Sequence, residues 1–558
     1  MTIIPILISS DKTRVVAFGT KTAYPVYLTI GNIPKELRRK PSQQTHILLG
    51  YLPTTPLLHV SSTASRRRML GNLFHYCFSH ILEPLKPLDK TGPIEMSSGD
   101  GVIRRTFPMF ACFVGDYPEQ VLVSGCKTGD CPRCPKKRKE LGDLEEEYEY
   151  RDLAKILEAL ATFEEDPAGY SAACSKAGIK PIVHPFWQEL PYSDIYSGIT
   201  PDILHQLYQG VMKHLVSWIT TAFSTKDLDA RCQCLPPNHN IRAFSKGITS
   251  LSRVTGKEHA DMCRILLGLV VDLKLPDGTS SVPLVRSIRS LLDFLYLAQY
   301  PLHTSETLRL LDASLKEFHE NKYIFIDLGI RTDFNLPKLH SLTHYVDSIK
   351  LFGTTDNYNT EYTERLHIDL AKDAYRATNH RDEYAQMTVW LERKEKVLRH
   401  ESYLEWRLNP HLKLVLRSTD MSYNGTPTLT KWPSVRAVDL DDIVGRYGAK
   451  FFREALRRYI VLTQHSGPPL TRDQLERRIL YTNLPFTAVS VYHKLKFTVP
   501  GDTTLAKRVT SDSVHVRPER QTKKGTKISA RFDTVLLKVG SGGETGVQGI
   551  FCPLSVST

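Results

Sequence analysis

Two aspartates stand at the ends of apolar segments near the start of the chain, where together they could hold a metal ion. Residues 107–114 form an apolar run that predicts a buried strand, and Asp116 follows it almost directly. Residues 3–9 form a similar run, followed by Asp11. Strand ends are a common place for a site in an α/β fold. Each acid alone is more often a turn or capping residue, so the interpretation depends on what else converges on the pair.

A third acid would complete a site for phosphodiester chemistry. Such chemistry uses two divalent cations that clamp the attacking and leaving oxygens, and Mg²⁺ or Mn²⁺ prefers carboxylate ligands. The candidates are Glu361, Glu364 and Asp369, in a helix predicted from about Thr360. Glu361 and Glu364 are three residues apart and share a face, but Glu364 could equally form an exposed charge pair with Arg365. The residues alone leave this choice open.

Three cysteines shortly after Asp116 have the spacing of a metal site. Cys126, Cys131 and Cys134 form C-x4-C-x2-C, which is typical of three ligands of tetrahedral Zn²⁺. The fourth ligand is not evident from the sequence. We take His205 as the first candidate, although a buried, hydrogen-bonded histidine is the commoner role. Because three of the ten cysteines cluster in this way, a reducing compartment is favoured over a disulfide framework.

Basic residues indicate an anionic partner. The formal net charge is +13, which favours nucleic acid. The candidate DNA contacts are Arg66, Arg67, Arg68, Lys136, Lys137 and Arg138. Residues 135–139, which include the last three of these contacts, have the form of a nuclear import signal, although they could also be a basic flank of the cysteine cluster. A further basic stretch, residues 517–531, is by default a solvated surface. We expect a nuclear protein with DNA as its partner.

The elements that must position these residues follow from apolar periodicity. Three closely spaced strands, at 3–9, 24–30 and 46–52, predict an antiparallel meander, and a helix at 65–85 and a strand at 102–114 follow. Residues 136–170 resemble a solvated linker or exposed helix. A strong amphipathic helix, 201–223, opens a long helical segment. The expected domains are 1–135, 136–334, 335–410 and 411–558, the last β-rich around one helix at 449–459.

Two classes of protein are not expected. No run of 18 apolar residues is present, which argues against a membrane span. The first 14 residues lack the basic segment that opens a secretory signal peptide. We therefore expect an intracellular protein without a membrane segment.

Several long segments, in order along the chain, resemble one family. The chain is similar to the transposases of Plavaka-type elements, a CACTA-related group of fungal cut-and-paste transposons. The matching segments are ISSDKT, YPVYLTIGNIPKELRRKPS, GDYPEQVLVSGCKTGDCPRC, TPDILHQLYQGVMKHLV, FIDLGIRTDFNLPKLHSLTHYVDSI and YNTEYTERLHIDLAKDAYRATN. Matches of this length in this order are more specific than a single motif.

The resemblance implies an α/β fold in which a ribonuclease-H-like core is split by a large helical insertion. It implies a D-D-E site for Mg²⁺ or Mn²⁺, with Asp11, Asp116 and Glu364 as the three acids and Glu361 in reserve. Asp202 and His205 match the D-x2-H element that follows the second aspartate in such enzymes. The cysteine cluster would brace the loop after Asp116.

The implied activity is that of a DNA transposase that cuts and joins transposon ends, acting as a homo-oligomer. Family members usually carry a longer N-terminal region with a DNA-binding module and a longer closing strand, so we expect a truncated copy or a partial gene model. The main alternative is a non-catalytic, transposase-derived nuclear protein that binds DNA or chromatin. A zinc-stabilised interaction module is a third class, which would leave the three acids unexplained.

Overall fold

The chain divides into two compact units. The first comprises residues 1–236 and 242–403, and the second comprises residues 237–241 and 404–558. The computed structural model describes residues 2–98, 101–144, 148–236, 238, 241–252, 254–275, 278–408, 426–430, 432–468, 470–499, 510–521, 525, 527–528, 530–532, 534–539 and 550–555. Part of the predicted linker (145–147), the start of the predicted C-terminal domain (411–425) and part of the C-terminal basic stretch (522–524) lie outside the described residues.

A five-stranded sheet forms the centre of the first unit. Its strands and an adjacent two-stranded pair are β1 (Thr2–Ser10), β2 (Thr13–Arg14), β3 (Thr22–Ala23), β4 (Pro25–Ile30), β5 (Ile47–Tyr51), β6 (Ile94–Ser97) and β7 (Ile103–Val114). The sheet order is β5-β4-β1-β7-β6, and β2 pairs with β3 outside it. The β1-β4 and β4-β5 pairs are antiparallel, as the predicted meander requires. The β1-β7 pair is parallel, and β6 is antiparallel to β7.

Alternate residues of β1 enter different apolar clusters because successive side chains of a strand point to opposite faces. Ile6 and Ile8 belong to a large cluster that includes Phe78. Leu7 belongs to a smaller cluster with Tyr358. The sheet is therefore covered by other elements on both faces.

Helices from two separate segments pack with Ile6 and Ile8 on the first face. They are Thr63–Ile81, Tyr117–Val123, Leu153–Glu165, Tyr170–Lys176 and Ile195–Gly198. Two further short helices, Lys35–Arg38 and Leu88–Thr91, lie in the connections between strands. The predicted linker at 136–170 thus contains an amphipathic helix whose buried face joins the core beneath the sheet.

The helix that carries the third acid is held by contacts with β4 and β5. It runs as Thr360–His367, a π-helical turn Ile368–Lys372, and Asp373–Arg376. The ring of His367 stacks on Tyr27, with the ring centroids 5.8 Å apart, and the hydroxyl of Tyr51 donates a hydrogen bond to the Leu370 carbonyl. A further helix, Glu383–Leu408, has all but its last five residues in this unit.

A block of helices forms a second apolar core in the same unit, with members from Ile203 to Ile349. Its helices are Ile203–Met212 (π-helical), Lys213–Ala222, Thr225–Cys234, Gly256–Val270, Val282–Leu297, Ser305–Asn321, Ile324–Asp327, Pro337–His340 and Tyr345–Phe352. Residues 153–199 pack with the sheet, and the helical block begins near residue 203, close to the start of the amphipathic helix predicted at 201–223. The predicted helix at 201–223 is present, but its first ten residues are π-helical.

The second unit combines short strands with helices. Its described strands are β8 (Thr426–Leu429), β9 (Val435–Asp439), β10 (Ala488–Val491), β11 (Lys494–Val499), β12 (Thr510–Arg517), β13 (Arg520–Gln521), β14 (Lys527–Ile528), β15 (Arg531–Phe532), β16 (Thr534–Val539) and β17 (Ile550–Ser555). Four of them form a sheet in the order β15-β12-β11-β8. Its described helices are Leu440–Gly445, Phe452–Gln464 and Arg472–Leu480, of which the sequence predicted only the second. Among the described helices of the whole chain, none has the length and apolar content needed to cross a membrane.

Candidate active site and metal centre

The two predicted aspartates follow neighbouring parallel strands. Ser9 of β1 lies opposite Val114 of β7, so Asp11 and Asp116 each come two residues after a matched pair. Asp116 is also the N-cap of the helix Tyr117–Val123, where its carboxylate accepts a hydrogen bond from the backbone N–H of Glu119 at 3.1 Å. Parallel pairing thus brings the two carboxylates to the same edge of the sheet.

Asp116 and Glu364 both act electrostatically on Asp11. Burial raises the pKa of Asp11 to about 6, and repulsion from Asp116 and then Glu364 adds to this effect. Burial also raises the pKa of Asp116. Carboxylates that repel one another in this way are stabilised when a cation binds between them. The donor set, which consists of carboxylate oxygens, fits Mg²⁺ or Mn²⁺.

A histidine from the helical block orients the third acid. The Nε2 atom of His205 lies 2.9 Å from Oε1 of Glu364, and its Nδ1 atom lies 2.7 Å from Oδ2 of Asp202. Glu364 itself sits in the second turn of the helix that Asn359 caps. The predicted D-x2-H element is therefore an Asp–His–Glu chain that links the helical block to the third acid.

Asp202 is the fixed end of this chain. Its side chain is 1% exposed and caps the π-helical segment by accepting hydrogen bonds from the backbone N–H groups of Leu204 and His205. It also accepts a bond of 2.7 Å from the hydroxyl of Thr360, the first residue of the helix that carries Glu364. One buried carboxylate thus joins the start of both helices.

The two acidic partners keep His205 protonated. Burial alone would lower the pKa of this imidazole, but the hydrogen bonds with Asp202 and Glu364 outweigh it and raise the pKa to about 10. The imidazolium partly balances the carboxylates around Asp11, and its charge also acts on Asp11 and Asp116. When a cation binds Glu364, it competes with this imidazolium for the carboxylate.

The two other candidates for the third acid have different surroundings. Asp369 forms an ion pair of 3.3 Å with Arg365. Glu361 accepts a hydrogen bond from the side-chain amide of Asn359, and burial raises its pKa. Of the three candidates, Glu364 is the one that pairs with His205 and acts on Asp11.

Glu119, which the sequence analysis did not identify, is hydrogen-bonded to Asp116 and to Ser10, the residue before Asp11. Its carboxyl group accepts hydrogen bonds from the hydroxyls of Ser10, at 2.9 Å, and Tyr24, at 2.5 Å. Ser10 precedes Asp11, and the backbone N–H of Glu119 is the group that Asp116 caps. Burial raises the pKa of Glu119 to about 8. The signal in the sequence was its position, three residues after a capping aspartate.

A second group of side chains can hold a metal ion. The ligand atoms of Cys131, Cys134, His340 and His344 all lie within 4.8 Å of one another, and all four residues are buried. The sulfur of Cys131 is 3.2 Å from Nε2 of His344, and the sulfur of Cys134 is 3.2 Å from Nε2 of His340. Tetrahedral zinc with two sulfur and two nitrogen ligands separates such atoms by roughly 3.5 Å.

The chemistry of these four ligands fits zinc. The hydrogen bond with Cys131 is the main factor that lowers the pKa of Cys134, and burial lowers the pKa of His344 to about 4. Backbone N–H groups of Arg133 and Cys134 point at the sulfur of Cys131, as in a zinc knuckle. A thiolate and a neutral imidazole are the forms that bind zinc.

The predicted zinc set is changed in two of its members. Cys131 and Cys134 belong to the group, but Cys126 does not. Cys126 instead forms a backbone bridge with Ile179, and burial raises the pKa of its thiol to about 11. His205 is also outside the group because it is held between Asp202 and Glu364.

His340 and His344 lie with the two cysteines, where Cys126 and His205 were predicted. They belong to a segment of short helical turns, and His340 is 206 residues after Cys134. The signal that could have found them is their H-x3-H spacing, which places two imidazoles on one face of a helix.

The predicted DNA contacts have different roles in the structure. Arg66 donates hydrogen bonds to the carbonyl of Val60. Lys136 is 9% exposed, and its ammonium group donates to the carbonyl of Asp143. The two are therefore occupied within the fold. The four remaining predicted contacts, Arg67, Arg68, Lys137 and Arg138, are exposed.

Two comparisons with known proteins bear on this site. No curated protein matches the chain. The family model described as Plavaka transposase matches residues 1–219. The matched segment includes both aspartates, Cys131, Cys134 and the Asp202–His205 pair. The resemblance predicted from the sequence is confirmed over this segment, which is related to the Plavaka transposases.

Proposed function

We propose that the chain is a DNA strand transferase with a ribonuclease-H-like core, in which Asp11, Asp116 and Glu364 hold two Mg²⁺ or Mn²⁺ ions. The observation that carries the proposal is that the first two acids follow adjacent parallel strands, while Glu364 pairs with His205 and repels Asp11. The family match, which covers the first two acids, supports the same chemistry. The mixed sheet order, with one parallel pair at its centre, is compatible with such a core.

The chain's own residues would hold the reacting groups in place. Asp11 and Asp116 are fixed by strand pairing and by the Glu119 hydrogen bonds, so they would hold the scissile phosphate through shared cations. Bound cations would supply charge neutralisation and an activated water or 3′-hydroxyl. Glu364 would turn from His205 to the cations, and Asp202 would keep the imidazolium close by. Fixed positions of this kind favour in-line attack.

The cysteine and histidine group would stabilise the fold and take no part in the reaction. Bound zinc would join the loop that carries Cys131 and Cys134 to residues 340–344 of the helical block. Structural zinc sites contribute directly to folding free energy. We also propose a nuclear location and action as a homo-oligomer on DNA, as the resemblance implies.

Metal-dependent nicking of supercoiled plasmid DNA tests this function. We expect nicking with added Mg²⁺ or Mn²⁺ and none without an added cation, and we expect Asp116→Asn and Glu364→Gln each to lower the rate at least 100-fold. Glu361→Gln is the matched control, because it removes a charge from the same helix without touching His205, and should lower the rate less than three-fold. DNA binding without nicking in the wild type would instead support the non-catalytic alternative.

A further inference from the structure

A cavity of about 720 Å³ opens beside the candidate active site, on the side of Lys12 and Tyr117. These two residues directly follow Asp11 and Asp116 in sequence. The helix Thr63–Ile81 also lines the cavity and contributes Gly71. We call this cavity the Gly71 groove. Its volume is that of a small-ligand pocket.

The charges in the Gly71 groove have one sign. Lys12, Arg67, Arg68 and Lys180 line it, and no aspartate or glutamate is among its lining residues. Arg67 and Arg68 lie four and three residues before Gly71, so all three lie on one face of their helix. Burial lowers the pKa of the Lys180 ammonium group, so an anion nearby would favour its charged form. The groove is therefore complementary to an anion.

The rest of the lining is largely apolar. Four prolines contribute, together with side chains such as Phe74 and Ile182. A phosphate backbone alone would gain little from such a surface, whereas a nucleobase has an apolar face and is held by aromatic and apolar contacts. Cations next to apolar walls suit a whole nucleotide, with its phosphate at one side and its base at the other.

We propose that the Gly71 groove binds unpaired nucleotides of the DNA strand that is cut, next to the scissile phosphate. The proposal rests on the proposed function, because that function supplies the DNA strand. It adds a requirement that carboxylate chemistry alone does not impose, namely that the substrate has, or is opened to have, single-stranded nucleotides at the cleavage point. Cleavage would then be favoured at DNA ends and openings over continuous duplex.

Gly71 offers a direct way to fill the groove. A Cβ atom built at this position meets no other atom within 4 Å, so the first carbon of a larger side chain has room where the glycine lines the cavity. Gly71→Leu should therefore occupy the groove, and Gly71→Ala is the matched control that leaves most of it open. Replacing a helical glycine also favours the helix in both variants, so loss of folding is not expected.

Fluorescence anisotropy without added Mg²⁺ or Mn²⁺ tests the proposal without any need for cleavage. The probes are a blunt duplex and a duplex of equal length that ends in five unpaired nucleotides. We expect the full chain to bind the second probe at least ten-fold more tightly. Gly71→Leu should reduce this preference to less than three-fold and leave blunt-duplex affinity unchanged, whereas Gly71→Ala should keep it.

Charge removal gives a second, independent variant. Arg67→Ala combined with Arg68→Ala should also reduce the preference to less than three-fold. Arg289→Ala combined with Arg309→Ala is the control, since it removes two exposed arginines from the helical block. Displacement of the probe by a deoxynucleoside monophosphate at an equal nucleotide concentration would show a free-nucleotide site and overturn the assignment to a DNA strand.

The outcomes separate this proposal from the proposed function. A wild-type chain without preference for unpaired nucleotides, or a Gly71→Leu variant that keeps the preference, overturns the groove assignment even when nicking depends on Asp116. A preference that Gly71→Leu abolishes, in a chain that nicks no DNA, supports the groove and overturns the catalytic function instead.

Discussion

The Asp202–His205–Glu364 chain gives a prediction whose size follows from its contacts. Asp202→Asn keeps the side-chain volume and one of the two oxygens. That oxygen can still accept from Leu204 and Thr360. In the wild type, the other oxygen accepts hydrogen bonds from both the backbone N–H and the Nδ1 atom of His205. The NH₂ group of asparagine, which is a donor, cannot replace that oxygen.

The expected cost is large for a substitution of one atom. A hydrogen bond to a charged group contributes about 1.5–3 kcal/mol, and a donor left without an acceptor in a buried site costs about 1–3 kcal/mol. We therefore expect Asp202→Asn to lower the free energy of unfolding of the first unit by about 3–5 kcal/mol. Urea unfolding followed by fluorescence measures this, because Trp187 and Trp218 are both buried in that unit.

Asp152→Asn is the matched control, since Asp152 caps the helix Leu153–Glu165 on the surface. Asparagine caps a helix about as well as aspartate, so we expect a loss of less than about 0.5 kcal/mol. Equal, small losses in the two variants would refute the reasoning about Asp202.

The hydrogen bonds between Asp202, His205 and Glu364 also predict how stability depends on pH. The pKa of His205 rises from 6.5 in the unfolded chain to about 10 in the folded one. The stabilisation is therefore fully present below pH 6.5 and is lost as the pH rises through 10. Asp202→Asn should weaken this dependence, and unchanged dependence would contradict the assignment of Asp202 as the partner that holds the proton.

Three further predictions concern the metal sites and the groove. Elemental analysis should find one zinc per chain in the wild type and in Cys126→Ser but none in Cys134→Ser; equal zinc in the two variants would contradict the corrected ligand set. Burial raises the pKa of Asp11 to about 6, and below that pH a proton competes with the cation. Mn²⁺ affinity measured by calorimetry should therefore fall up to ten-fold per unit below pH 6, and constant affinity from pH 7 to 5 would exclude Asp11 as a ligand. Gly71→Ala should raise the free energy of unfolding by roughly 0.5–1 kcal/mol, and a loss would show that the Cβ has no room.

Local patterns in the sequence were sufficient for the elements around the two aspartates. The apolar runs that predict strands at 3–9 and 102–114 correspond to β1 and β7, and their acids follow at the strand ends. The meander followed from short connections, which leave few alternatives to antiparallel pairing. The ribonuclease-H-like identity of this core stays a prediction.

Ligands that meet from distant parts of the chain were harder to predict. Cys131 and His344 are 213 residues apart, and no local pattern states that they meet. The apolar helical block brings them together, so which side chains meet depends on the packing of distant segments. The sequence analysis assigned His205 both to the zinc site and to the D-x2-H element. Its contacts with Asp202 and Glu364 are compatible only with the second assignment.

Whether a charged side chain is exposed or buried could not be predicted from composition either. Lys136 belongs to a basic run that predicts an exposed patch, yet it is buried and donates to a carbonyl. The π-helical turn at Ile203–Met212 was also not predicted, because apolar spacing over ten residues does not distinguish it from an α-helix.

The most direct test of the central claim is a crystal structure of the chain soaked in Mn²⁺, with anomalous diffraction used to locate the ions. The account predicts anomalous peaks bounded by the carboxylates of Asp11, Asp116 and Glu364, with Glu364 turned away from His205. Mn²⁺ bound elsewhere, or the Glu364–His205 pair unchanged with no ion at the strand ends, would contradict it.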